Sequence, residues 1–249
     1  ADQILKRDNS VVALVGDASI VNGVAVEGLN QAGTLKRQFL IVLNDNEWGI
    51  SPTQGAMAEN LARFRARHFS EAMTARTKRV LPKLPLLGKP VFEMIAHLKE
   101  GIKATFSPGQ IFEAMGLQYV APVDGHDIKH LIDLLEVLKQ AQHPVLLHVH
   151  TVKGKGCDWA SAEPGKYHSP KPFVVEAGKV TVKSGAGKSW TTAFVDALII
   201  AAETDDRVFA MTAGMLDGTG LNKFADRLPD RCRDIGIAGG RAEEAVKHF

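Results

Sequence analysis

Two short runs of β-branched and aliphatic residues, Val11–Val15 (VVALV) and Phe39–Leu43 (FLIVL), flank a segment whose apolar residues fall at helical spacing. No other feature restricts the fold as much. A continuous apolar run of this length reads as a strand covered on both faces, as parallel strands are. Val21, Val24, Ala25, Leu29 and Ala32 mark one stripe of a helix, and Gly33 is placed to close it as a C-cap. A strand–helix–strand unit crosses over right-handedly and sets its two strands side by side, pointing the same way. The fold class expected is therefore α/β: a parallel sheet flanked by helices.

The rest of the chain continues this logic. A helix is expected over Gln110–Met115 with Gly116 as its cap, and a strand over Leu117–Val123. Asp127 suits the N-cap of an amphipathic helix, Ile128–Gln142, that turns Leu131, Leu134, Leu135 and Leu138 to a core. Val145–Val152 (VLLHVHTV) reads as a third buried strand. Between Gln54 and Glu100 the text is helical but broken by LPKLPLLGKP at Leu81–Pro90, a loop that serves either as a lid or as a plain surface excursion. Residues 1–175 form the first domain in this reading, and 176–188, with a short strand at Val180–Val182, a linker. Residues 189–249 then open a second α/β domain: helix Trp190–Glu203, strand Val208–Thr212, helix Leu221–Arg227 and strand Arg233–Ala238.

Composition narrows the function classes. Thirty basic against 28 acidic residues leave +2, too even for a nucleic-acid or membrane-surface footprint. Cys157 and Cys232 offer neither a disulfide framework nor metal-ligand spacing, which suits a reducing cytoplasm. No run approaches the length of a membrane span, and ADQILKRDNS has no apolar core of a signal peptide. The pairs His126/His130 and His148/His150 could imitate a metal site but lack a third ligand at suitable spacing. Gly185-Ala186-Gly187-Lys188-Ser189 ends like a phosphate-binding loop, yet Val182 stands where the first glycine should be.

Ligands of open α/β sheets gather outside the carboxyl ends of the strands. Gly16-Asp17 lies just past the first strand and Asn44-Asp45-Asn46 just past the second. A carboxylate and an amide oxygen are hard ligands of the kind Mg²⁺ takes together with phosphate oxygens. Ala18 and Ser19 open a helix there, where backbone N–H groups favour an anion. The two loops together suit a magnesium-bridged diphosphate.

The phrases GDASIVNGVAVEGLNQAG and LNDNEWGISPTQGA resemble the thiamine-diphosphate enzymes, and the 1-deoxy-D-xylulose-5-phosphate synthase family in particular. The likeness is dense from Val11 to Thr151 and extends from Ser10 to Ala238. It implies thiamine diphosphate and Mg²⁺ as cofactors, with Asp17, Asn46 and the carbonyl of Trp48 as metal ligands. Ala18 and Ser19 would meet the diphosphate, and Cys157 stands where the family has a tyrosine near the cofactor. His168 matches a family histidine near the reacting carbon, a group suited to proton transfer at neutral pH. The implied reaction condenses pyruvate with glyceraldehyde 3-phosphate, releasing CO₂, in a cytoplasmic homodimer. The alternatives are another thiamine-diphosphate enzyme, such as a transketolase or a 2-oxo-acid dehydrogenase subunit, and a non-catalytic diphosphate-binding fragment.

Several positions depart from the family pattern. Ala18 replaces a glycine, a change that costs most if the site needs φ > 0. Gly239 stands where the family carries the glutamate that activates the cofactor, and RAEEAVKHF no longer follows the family text. The expectation is of a chain that starts inside its first domain and stops early in its second, an incomplete or frame-disrupted copy that is inactive alone.

Overall fold

The computed structural model describes residues 9–63, 109–176, 179–182 and 187–237. The proline-rich loop and lid expected within 64–108, and Gly239 with the tail that follows it, lie outside the described residues. The chain forms two compact units: 1–15, 27–44 and 56–150 make one, and 16–26, 45–55 and 151–249 the other. It passes from the first to the second where its two leading strands end.

The first unit is built on β1 (Val12–Gly16), β2 (Phe39–Asp45), β3 (Gln118–Asp124) and β4 (Pro144–His150), in the spatial order β1-β2-β4-β3. Helix α1 (Asp17–Ile20) follows β1, and α2 (Gly23–Ala32) leads to β2; α3 (Gln110–Ala114) precedes β3, and α4 (Ile128–Leu138) joins β3 to β4. A further helix runs from 56 to 63. β3 and β4 pair in parallel, with an irregularity between Val120 and Val123 that spans Pro122. A proline cannot donate to a ladder, so a bulge in an edge strand is where one is tolerated. The expected α/β class is borne out.

Both faces of the central strands are covered, which is why β4 is apolar throughout. On one face Leu40, Val145, Leu147 and Val149 pack with Val120, Val123 and the α4 side chains Leu131, Leu134 and Leu138. The alternate residues Ile41, Leu43, Leu146 and His148 are also buried and face the other way. There Phe112 of α3 stacks on Tyr119 at 5.7 Å between ring centroids, and the Tyr119 hydroxyl lies 2.7 Å from His148 Nδ1.

Three sequence expectations are corrected here. Leu135 is exposed rather than in the core, because α4 presents a narrower stripe, Leu131–Leu134–Leu138, to the sheet. β1 reads as a buried strand, yet Val12 and Leu14 are 58% and 74% exposed: it is the edge of the sheet, and no described element covers that side. Gly33 ends α2 but does not adopt a left-handed cap. A Cβ there would stand 1.7 Å from the Met115 carbonyl oxygen, so close backbone approach explains the glycine. Gly116 does take φ +88, as a left-handed helix terminus requires.

In the second unit α5 (Asp158–Ala162) is followed by β5 (Phe173–Glu176) and β6 (Lys179–Val182), an antiparallel hairpin. The sequence shows only β6; the pairing partner lies in a segment without alternation. Helix α6 (Trp190–Thr204), capped by the Ser189 hydroxyl on the Thr192 N–H, packs with β7 (Ala210–Thr212), α7 (Leu221–Arg227) and β8 (Cys232–Asp234). β7 and β8 pair in parallel around a core of Val195, Ala202, Leu221, Phe224 and Cys232.

Candidate functional site

Gly16 is extended (φ −80, ψ 156) and delivers the chain directly into α1, so Asp17 stands at the end of β1. The side chain is 2% exposed. Burial pushes its carboxyl above the usual carboxylate range; the Thr53 hydroxyl, donating to Oδ2 at 2.9 Å, works the other way, and the neighbouring Asp45 charge raises it again. The backbone N–H groups of Ala18 and Asp17 itself also favour the ionised form. Ala18 is buried in a right-handed helix, so the methyl that replaces hydrogen carries no left-handed strain. Ser19 is exposed.

The loop after β2 folds back on itself. Asp45, fully buried, accepts the Glu47 N–H at 3.3 Å, and the Asn46 amide oxygen accepts the Trp48 N–H at 3.0 Å. Glu47 takes φ 68, the left-handed region. Such strain in a non-glycine residue persists only where the surroundings over-determine it. Here Thr53 N–H to Glu47 O (3.1 Å) and Gly49 N–H to Ser51 O (2.9 Å) close the turn. Thr151 N–H donates to Asp45 O at 2.9 Å and ties in the segment that follows β4.

Asp17 and the Asn46–Thr53 loop are thus brought together, through the Thr53 hydroxyl and through packing. A Cβ on Gly49 would lie 3.0 Å from that of Ala18. Lys153 joins them: its ammonium donates to the Gly49 carbonyl, and it feels both desolvation, which lowers its pKa, and the Asp17 charge, which raises it. Lys153 opens the run Lys153-Gly154-Lys155-Gly156 directly after the third strand, whose two glycines permit close approach to a ligand. Thr53 is not singled out by the sequence. No local pattern gives Thr53, because its link to Asp17 spans 36 residues.

The remaining expected residues lie on the connection after Lys153. Cys157 is exposed and precedes α5 without a side-chain cap bond. His168 is exposed; its N–H donates to Gly165 O at 3.3 Å, and a Cβ on Gly165 would lie 3.5 Å from the Trp48 ring. Contact of Cys157, Ser19 or His168 with the Asp17 carboxylate is not seen. Among the described residues no group of three or more His, Cys, Asp and Glu side chains could hold a metal. The His126 and His130 N–H groups serve Asp124 and Asp127 in the turn before α4.

The donor set fits a hard cation all the same. A buried carboxylate beside a second buried carboxylate is costly to keep ionised, and a divalent ion with an amide and a carbonyl oxygen offsets that cost. Gly49 and Ala18 meet with no side chain larger than a methyl between them. A separate cavity of about 730 Å³, lined by Lys36, Arg37, Gln38 and Lys139 among others, lies at the N-terminal ends of the strands. Its cations follow the C-termini of α2 and α4, where positive charge answers the helix dipoles.

The fold and these loops define an α/β protein whose buried polar groups converge at the carboxyl ends of parallel strands. A family model described as 1-deoxy-D-xylulose-5-phosphate synthase matches residues 1–151. A 1-deoxy-D-xylulose-5-phosphate synthase 2 of Geobacter sulfurreducens is 41% identical over 96% of this chain and 38% of its own. The synthase of Aquifex aeolicus is 40% identical over 94% and 37%, and that of Anaeromyxobacter sp. 43% identical over 96% and 37%. The chain belongs to the 1-deoxy-D-xylulose-5-phosphate synthase family, and it spans somewhat more than a third of the length of these relatives. A transketolase from Campylobacter jejuni superposes with TM-score 0.39 at 17% identity, over 64% of this chain and 18% of that one.

Proposed function

We propose that this chain carries the magnesium- and diphosphate-binding half of a thiamine-diphosphate-dependent synthase that condenses pyruvate with glyceraldehyde 3-phosphate. The observation that carries the reading is the 2.9 Å bond from Thr53 to Asp17, which locks the loop after β2 against the residue after β1. Asp17, the Asn46 amide oxygen and the Trp48 carbonyl would hold Mg²⁺. Lys153 supplies the positive charge that a diphosphate needs beside that ion. Ala18, Ser19 and Cys157 border the same loops and would line the cofactor.

Bound thiamine diphosphate would supply the carbanion chemistry of the reaction. The residues of this chain bind and orient. Thr53 fixes the Asp17 carboxylate, Asp45 holds the Glu47 turn, and His168 would move a proton at its imidazole. Residues 189–249 belong in this reading to the opening of the pyrimidine-binding domain. The assembly is a homodimer, and the two free cysteines suit the cytoplasm.

Isothermal titration with thiamine diphosphate in the presence of Mg²⁺ tests the binding reading. Heat should saturate for the wild type and vanish for Asp17→Ala and Asn46→Ala. Full binding by both variants would overturn it. Product analysis with pyruvate and glyceraldehyde 3-phosphate, against pentose phosphates, tests the substrate assignment.

A further inference from the structure

Three aromatic rings meet where the segment that carries His168 begins and ends. Trp159 of α5 meets Tyr167 edge-on at 4.6 Å between centroids and Phe173 of β5 at 5.4 Å; Tyr167 and Phe173 are 6.4 Å apart. Such edge-to-face pairs contribute stability beyond the area they bury. Tyr167 immediately precedes His168, and Phe173 lies five residues beyond it, so the rings grip the segment on both sides. Pro170 and Pro172 restrict the backbone between them.

The clamp is anchored at both ends to the candidate site. Gly154, the residue after Lys153, has φ +79 and lies so close to α5 that a Cβ would stand 2.7 Å from the Ala160 carbonyl carbon. Gly165 lies against the Trp48 ring, within the loop whose carbonyl would ligate the metal. Glu163 and Lys166 close the turn between them with a 2.7 Å ion pair. A continuous series of contacts therefore runs from Lys153 through α5 and the rings to His168, and back to Trp48.

We infer that Trp159, Tyr167 and Phe173 are positioning residues whose task is to fix the segment that carries the exposed His168 imidazole, a segment whose backbone is tied through Gly165 to the Trp48 ring. This rests on the reading of His168 as the proton-transfer group. An exposed histidine on a free loop would sample many orientations, and catalysis needs one. A core that merely fastened the β5–β6 hairpin would gain nothing from having the histidine directly follow one of its rings, Tyr167.

Nuclear magnetic resonance of the whole chain separates the two. In Tyr167→Leu and, independently, Phe173→Leu, the amide order parameter of His168 should fall from about 0.85 to below about 0.6. Tyr167→Phe, which keeps the ring, should leave it unchanged. On titration with thiamine diphosphate and Mg²⁺, the wild type should show a shift of the His168 Hε1 resonance. The leucine variants should bind within about threefold of wild type yet lose most of that shift. An unchanged order parameter in both leucine variants would overturn the clamp. A loosened segment with the full His168 response would overturn the positioning role and leave a plain fastener. A wild type that gives no response at residues 17–19 and 46–48 would instead sink the proposed function, with the order parameters still deciding the clamp.

Discussion

The chemistry proposed for this chain turns on a carboxylate that the fold makes uncomfortable. Asp17 is buried and faces Asp45, so its folded pKa is raised above the unfolded value. A raised acid holds its proton longer in the folded state. Its contribution to stability is therefore best at low pH and declines as pH rises through the folded pKa. Asp17→Asn should accordingly raise the melting temperature of the cofactor-free protein at neutral pH while weakening Mg²⁺ binding by more than about 10-fold, measured by calorimetry. Thr53→Val removes the hydroxyl that orients Asp17 and should cost about 10- to 100-fold in Mg²⁺ affinity, with Thr53→Ser close to wild type. The two cysteines give a check on burial. Cys157 should react with iodoacetamide in the folded protein, and Cys232, buried and with its thiol held protonated by desolvation and by Asp234, should not. Because the Cys232 pKa is raised, the stability it contributes is lost as pH climbs above the ordinary thiol range.

Glycines separate two kinds of constraint among the helices. Gly28 sits inside α2 with nothing within 4 Å of the place a Cβ would take, so Gly28→Ala should stabilise the protein by about 0.5–1 kcal/mol through helix propensity alone. Gly33, at the end of the same helix, meets the Met115 carbonyl. Gly33→Ala forces the α2 terminus away from the α3–β3 turn and should cost about 1–3 kcal/mol or more, read from urea denaturation. The opposite signs of two identical substitutions five residues apart would be hard to obtain from any other packing of α2.

Across the molecule, several large apolar side chains of the described residues are exposed. Val12 and Leu14 on β1, Ile128 and Ile132 on α4, and Trp190, Phe194 and Ile200 on α6 are all exposed, Trp190 at 92%. On α6 these residues fall with Ala193, Ala197 and Ala201 on one helical face. Contiguous apolar surface of this kind marks interaction sites or drives association. A net charge of only +2 adds little repulsion. Sedimentation velocity should show self-association that rises with concentration in the micromolar range, and Leu14→Lys combined with Trp190→Glu should reduce it. Among the described residues no helix is long and apolar enough to cross a membrane.

Strand and helix identity was written locally. Apolar runs and helical spacing are properties of neighbours in sequence, which is why β2, α4, β4 and α7 emerge from the text within a few residues of their observed limits. The placement of Asp17 and Asn46 past the ends of two adjacent strands follows as well, since consecutive strands joined by a crossover helix commonly neighbour and point the same way. What tertiary structure alone decided is which surfaces found partners. The apolar text of β1 is the same whether a strand is central or at an edge, and only the sheet order exposes Val12 and Leu14. A glycine reads alike as a cap and as a point of close approach until Met115 is seen against Gly33. Thr53 is one polar residue among many in a loop, and becomes the tie to Asp17 only because the β2 loop folds back across a gap of 36 residues. Contacts of that range are set by the packing of the whole sheet edge, and no window of neighbouring residues contains them.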